Sequence, residues 1–215
     1  MVSSYSRYLA CLTIALGVLG TASAQAASSP AQFCRSKQIA AAGKACGTIL
    51  KKCYGSVAKS GMPVDLICTG DVLVTLTSDL DKAGSGGGCD QVRLAPPMND
   101  RLSDLADDVA NGALAYRDGG ACAARKLAAA AKKCIAFAKC YASAAKKADM
   151  FTPNAACLSS ASGKFSDAFT KIEASLACTP AGNADAIETL IDEAIEDLSD
   201  LATVGTTTTT TTTLP

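Results

Sequence analysis

The most reactive side chains in this chain are its 11 cysteines, and the residue whose absence limits chemistry most is histidine, of which there are 0. Without an imidazole there is no Ser-His-Asp or Cys-His nucleophile pair, no histidine general base and no mixed Cys/His zinc site. No Cys-x-x-Cys occurs either, which removes the remaining common zinc spacing and c-type haem attachment. Ser-Lys and carboxylate pairs are formally available, but no spacing singles out two such residues. Asp79, Asp81, Gly84 and Asp90 stand at positions 1, 3, 6 and 12 of a calcium loop, yet Ala83 fills a ligand position and Gly86 replaces the usual apolar residue. The glycines of Gly84-Ser85-Gly86-Gly87-Gly88 lie between helical segments and read as a connection, not as a phosphate loop. The expectation is a non-enzyme with no cofactor and no metal, whose cysteine chemistry is disulfide formation.

That chemistry requires an oxidising compartment, and the N-terminus supplies the route. Arg7 precedes an apolar run from Leu9 to Leu19, followed by Ala22-Ser23-Ala24-Gln25-Ala26, which offers Ala-x-Ala cleavage after Ala24 or Ala26. The run is too short for a transmembrane helix, which needs about 20 apolar residues. Residues 1–24 are therefore read as a signal peptide that carries Cys11 away, leaving ten cysteines to pair in a secreted or cell-surface protein with no transmembrane segment after cleavage. The 20 basic residues balance 20 acidic ones, so no net field attracts nucleic acid or anionic membrane. Aromatics are 5% of residues and Trp is absent, so the core must be built from small aliphatic side chains and gains from staples. At the other end, residues 204–215 hold the run Thr206 to Thr213, read as a solvated tail or linker.

The cysteines also reveal an internal repeat. From Cys34 they fall at steps of 12, 7, 15 and 21 through Cys46, Cys53 and Cys68 to Cys89; from Cys122 the steps are 12, 6, 17 and 21 through Cys134, Cys140 and Cys157 to Cys178. Ala40-Ala41-Ala42 with Lys44 matches Ala128-Ala129-Ala130 with Lys132, and Lys52-Cys53-Tyr54 matches Lys139-Cys140-Tyr141. Two units follow, 34–118 and 119–203.

Each unit is expected to form three helices, which makes the fold all-α: a tandem duplication of a three-helix, disulfide-stapled unit with pseudo-twofold packing. The first helices, near 32–59 and 121–147, are rich in Ala and Lys. In the second, Cys157, Ala161, Phe165 and Phe169 recur every four residues. Its counterpart contains the β-branched stretch Val72-Leu73-Val74-Thr75, but Cys68, Val72, Leu76 and Leu80 keep the helical offsets. Thr152 is expected to cap the second unit's second helix, with Pro153 in its first turn. The third helices carry an apolar stripe, Ile187, Leu190, Ile191, Ala194, Ile195, Leu198 and Leu201 in the second copy, backed by an acidic face. The basic first helices are expected to face those acidic helices within one molecule.

Helix geometry constrains the cystines, because cysteines paired across an antiparallel hairpin share a midpoint at its turn. Cys53 with Cys68 and Cys34 with Cys89 have midpoints 60.5 and 61.5; Cys140 with Cys157 and Cys122 with Cys178 have 148.5 and 150. Cys46 and Cys134 remain. Cys46 cannot reach Cys53, about 10 Å along the same helix and beyond the roughly 7 Å limit. They are expected to bond each other, tying the units together about a pseudo-twofold axis; the alternative is that both bond between molecules, giving a covalent dimer.

The Ala/Lys-rich helices, widely spaced cysteines, acidic closing helix and Thr206–Thr213 run resemble a group of uncharacterised exported bacterial Ala/Cys-rich helical repeat proteins with poly-threonine tails. The resemblance implies export and a stapled helical fold and brings no assigned activity. The functional expectation is a secreted, non-enzymatic structural or protein-interaction module with an extracellular protein or surface partner; the alternative is a carrier of a small apolar ligand between amphipathic helices.

Overall fold

The structure, a computed structural model, describes residues 28–60, 66–86, 88, 89, 94–113, 120–148, 151–176, 178 and 181–204. The N-terminal segment expected to be a signal peptide, the expected turn at Gly61-Met62-Pro63 and the threonine run lie outside the described residues. Among those described the chain is all-helical, with no strand. α1 (Pro30–Thr48) continues through a wide turn with i to i+5 geometry (Ile49–Tyr54) into α2 (Gly55–Ser60). Then come α3 (Leu66–Gly84), α4 (Ala95–Asp107) with a second wide turn at Asp108–Ala113, α5 (Gly120–Ala145), α6 (Ala155–Leu176) and α7 (Ala184–Val204).

Local chemistry sets the ends. Ser29 accepts a hydrogen bond from Gln32 N while the Gln32 side chain accepts from Ser29 N, a reciprocal cap with Pro30 in the first turn. At α6 the expected cap is corrected: Asn154, not Thr152, accepts from Ala156 N at 2.9 Å and Cys157 N at 3.2 Å. Asn satisfies the first helical donors as well as Thr does, and the helix starts two residues later. The β-branched stretch of α3 is helical, since Leu76 and Leu80 bury there at helical spacing while Thr75 and Thr77 bond back to Asp71 O and Leu73 O. Tertiary burial overrides the weak local preference.

The wide turn at Ile49–Tyr54 lies where the sequence has one residue more between Cys46 and Cys53 than between Cys134 and Cys140. An inserted residue in a helix is accommodated by one i to i+5 turn, which keeps the flanking faces in phase.

α1 and α5 cross antiparallel at the centre. Gly43 lies against Ala138 and the Cys134 carbonyl, and Gly47 against Ile135 and the Ala131 carbonyl. Further out Phe33 lies beside Lys146. A Cβ on Gly47 would come within 2.7 Å of Ile135, and one on Gly43 would overlap the Ala138 methyl. The close approach therefore requires glycine. α3 packs on α1 and α6 on α5, while α4 and α7 lie side by side and cover the same face of the crossing. The core between these layers is Ile39, Ile49, Leu50, Leu102, Leu105, Leu127, Ile187, Ile191 and Leu198 with many alanines. Gly88, at φ +96°, approaches the Pro30 and Ala31 backbone so closely that a Cβ would sit 2.7 Å from Ala31 N; this brings Cys89 to Cys34.

Helix propensity alone favours Gly→Ala by about 0.8–1 kcal/mol. We expect Gly163→Ala, on an open face of α6 with nothing within 4 Å, to raise stability by about that amount. Gly43→Ala should instead lower it by about 1–2 kcal/mol, because overpacking the crossing outweighs the propensity gain. Urea midpoints of the two variants, measured with cystines intact, check the opposite signs.

Candidate functional site

The ten cysteines among the described residues stand in five pairs at disulfide distance. Cys34 pairs with Cys89, Cys53 with Cys68, Cys122 with Cys178 and Cys140 with Cys157, with Cα separations of 6.2, 5.6, 5.7 and 5.8 Å. Cys46 pairs with Cys134 at 6.1 Å, in the middle of the crossing. Asp79, Asp81 and Gly84 of the calcium-like spacing all lie in α3, where a helix cannot wrap an ion; Asp79 instead stands 3.6 Å from both Lys44 and Lys82. Among the described residues no cluster of metal-binding side chains forms, and no helix is long and apolar enough to cross a membrane.

Two lysines of α5 point inward. Lys133 is buried with Nζ against Glu188 Oε1, 2.8 Å from Asp192 Oδ1 and 3.2 Å from Ser162 Oγ. The Phe137 and Phe165 rings flank it at 5.0 and 5.4 Å. Two turns earlier Lys126 reaches Glu173 at 2.6 Å and Asn183 at 2.8 Å, with Phe169 5.0 Å away. Burial, which outweighs the pull of Lys133, raises the Asp192 carboxyl above its ordinary range, and Glu188 and Glu196 add to the effect. Burial also raises Tyr141, with help from Glu196, Asp192 and Asp200. These contacts tie α5 to α6 and α7. On α1 the residue 88 positions before Lys126 is Gln38, fully buried, whose amide finds no hydrogen-bond partner.

The expectation that the basic first helices face the acidic third ones holds for the inward Lys133, whereas Lys126 meets Glu173 of α6. Arg125, Lys132 and Lys139 of α5, with Lys146 just past its end, recur every seven residues and are all exposed. Seven residues are nearly two turns, so the four share one face at intervals of about 10 Å. Tyr141, nine residues from Lys132 and thus half a turn away, lines a groove with Glu196 and Asp200 of α7. The cation row therefore points directly away from α7. A similar row runs from α1 through the wide turn into α2: Lys37, Lys44, Lys52 and Lys59, at steps of 7, 8 and 7, are exposed, while Tyr54 on the opposite side donates to Asp107 Oδ1 at the end of α4.

The two rows share one surface. Phe33, 46% exposed, has Lys37 Nζ 4.7 Å and Lys146 Nζ 5.9 Å from its ring centroid, one from each row. Neither residues 30–60 nor 120–145 contain a single acid. The opposite surface is the reverse: α4 exposes Asp100, Asp104 and Asp108, and α7 exposes Asp185, Glu193, Glu196 and Asp200. Between α4 and α7 runs an open groove of about 510 Å³ edged by Asp100, Asp104, Asp197 and Asp200, with Arg101 bridging to Asp197 at 2.8 Å. The heptad spacing of the lysines was present in the sequence; their phase relative to the buried face needed the crossing.

Compared with family models, curated proteins and solved structures, the chain matches none. Its function is read from its own surface.

The buried polar groups make a stability prediction. Removing both acids with Glu188→Ala and Asp192→Ala strands a buried ammonium and should cost about 3–5 kcal/mol. Lys133→Met leaves only carboxylates that reach water and should cost clearly less. Gln38→Leu removes an unpaired amide and should stabilise by about 1–2 kcal/mol. Chemical denaturation of the three variants checks both order and sign.

Proposed function

We propose that this protein is an exported, non-enzymatic interaction module, displayed outside the cytoplasm, whose binding surface is the two-row cation face of α1 and α5. The observation that carries the reading is that face: two rows of four exposed basic residues, one along residues 37–59 from α1 through α2 and one along residues 125–146 of α5 and its end, with no acid in either stretch. A solvated lysine on one helix is ordinary. Two antiparallel rows in register, held on helices that cross at glycine and share a cystine, form a rigid array that gives a partner many simultaneous ionic contacts. Rigidity matters because a preordered surface loses little further entropy on binding. Cystine-distance pairs and the absence of a membrane-spanning helix among the described residues are compatible with an extracellular setting. The signal-like N-terminus supplies export, and the threonine run supplies a tether or spacer.

The same reading takes the chain as a duplicated three-helix unit packed about a pseudo-twofold axis. Cys46 and Cys134, 88 residues apart, are each other's partner, as equivalent residues on an axis would be. Tyr54 meets Asp107 while Tyr141, its counterpart, feels Glu196. The wide turn absorbs the one residue by which the first helices differ. Deleting Lys51 should therefore convert Ile49–Tyr54 to regular α-helix and leave all cystines and the melting temperature essentially intact, whereas deleting Ala136 from the regular α5 should rotate Cys140 out of reach of Cys157. Non-reducing peptide maps of both deletions test the duplication; loss of Cys53–Cys68 in the first would contradict it.

The binding surface is tested by lysine acylation, comparing protein in its native extracellular setting with purified monomer. Lys44, Lys52, Lys132 and Lys139 should be protected in the native setting, relative to Lys164 and Lys171 on α6. Equal labelling of both sets would remove the surface from consideration.

A further inference from the structure

We infer that the partner of the cation face is the acidic face of a second copy of this chain, so that molecules stack head to tail. The inference rests on the reading of the cation face as a binding surface and names what covers it. The first argument is charge complementarity within one molecule. The helices of one surface carry only cations, and the opposite surface exposes Asp100, Asp104 and Asp108 of α4 with Glu193, Glu196 and Asp200 of α7. The second is shape. Each surface is made of two helices lying side by side, and the groove between α4 and α7 is open and carboxylate-edged, so lysines on long flexible stems can reach into it. The third is the balance of 20 basic and 20 acidic residues: copies carry no net charge to repel one another, yet each is strongly polar across its thickness.

Other occupants fit less well. A single-stranded nucleic acid needs aromatic platforms for its bases, and among the described residues only Phe33 stands exposed beside the cations. A membrane surface would favour apolar side chains interleaved with the cations, and the exposed Leu66, Ile67 and Val74 are all on α3, not on the helices that carry the two rows. Because the two contact surfaces differ, the association is heterologous and continues into a stack unless its rotation closes a ring. Exposed ion pairs are screened beyond about 8 Å at physiological salt, so the contact must be weak per pair and depend on many pairs acting together.

The test uses the mature protein with cystines intact. At about 20 mM salt, sedimentation velocity should show a weight-average coefficient that rises with concentration, returning to the monomer value near 0.5 M salt. Lys37→Glu, Lys44→Glu, Arg125→Glu and Lys132→Glu together alter only exposed positions; circular dichroism verifies their fold, and association should weaken by about tenfold or more. In a mixture of ¹⁴N and ¹⁵N protein, zero-length carbodiimide crosslinks between isotopically different chains should join lysines of α1 and α5 to carboxylates of α4 and α7. A monomer at every concentration in low salt overturns the inference, as do crosslinks confined to other surfaces. A monomer that binds an acidic polymer such as heparin through the same lysines also overturns it, while leaving the cation face a binding surface. Equal acylation in the native setting would instead defeat the underlying reading.

Discussion

Everything in this structure depends on how closely α1 and α5 approach. A core built largely of alanine offers little apolar area per residue, so helices at ordinary separation would leave gaps that small side chains cannot fill. Gly43 and Gly47 remove the obstruction on α1, Ala131 and Ala138 present only methyls and carbonyls on α5, and the Cys46–Cys134 pair sits between them. Once this crossing exists, the remaining helices have fixed tasks. α3 and α6 close the two flanks, each tied by two cysteine pairs, and α4 and α7 close one face with the richest apolar stripes in the chain.

The other face is left to solvent, and that separates neighbouring lysines with opposite fates. Lys132 and Lys133 are consecutive, but one residue is 100° of helix rotation; Lys132 is exposed while Lys133 lies under two aromatic rings against two carboxylates. The buried cation is costly to desolvate and its attraction to the partners offsets that cost, so it contributes geometry more than net stability. Lys126 and Lys133, seven residues apart, require α6 and α7 to present Glu173 and Glu188 at one particular register. In the first half the equivalent positions hold Gln38 and Ala45, no ion pair forms, and a buried amide is left without a partner. On the proposed duplication, the two units share a frame while differing in how its interior is specified.

The helical class was legible because its signals are local: alanine propensity, four-residue recurrence of Cys157, Ala161, Phe165 and Phe169, and the stripe of α7. In α3 the offsets of Leu76 and Leu80 outweighed Val72 and Val74, since periodicity reports burial and burial decides. The α6 cap was misplaced because Thr152 and Asn154 are both competent caps, and the choice depends on where Pro153 lets the chain turn. Charge was the least legible property. A composition of 20 basic and 20 acidic residues gives zero, and zero conceals the segregation of cations to α1 and α5 and of most acids to α4 and α7, with α3 and α6 mixed. The seven-residue recurrence of Lys37 and Lys44, or of Arg125, Lys132, Lys139 and Lys146, was visible as a row; only the direction of Tyr54 and Tyr141 toward α4 and α7 shows that both rows point the same way, and outward.

That segregation has a physical origin in the architecture. The apolar surfaces of α1 and α5 are consumed by each other, by the flanking helices and by the α4–α7 layer, so their cations have one exit direction. The acids of α4 and α7 have the opposite exit for the same reason, because their stripes of Met98, Leu102 and Leu105, and of Ile187, Ile191 and Leu198, face inward. A bundle whose layers were mixed in charge would pair most of its ions internally and present a bland surface. Here α1 and α5 carry cations and no acid, α4 and α7 carry acids with Arg101 the one cation, only a few ions turn inward, and what the fold does not neutralise it displays. Because the crossing is rigid, the displayed charges keep their spacing of about 10 Å along each row. Weak individual contacts then act as one surface, which favours a partner bearing extended opposite charge over any small ligand.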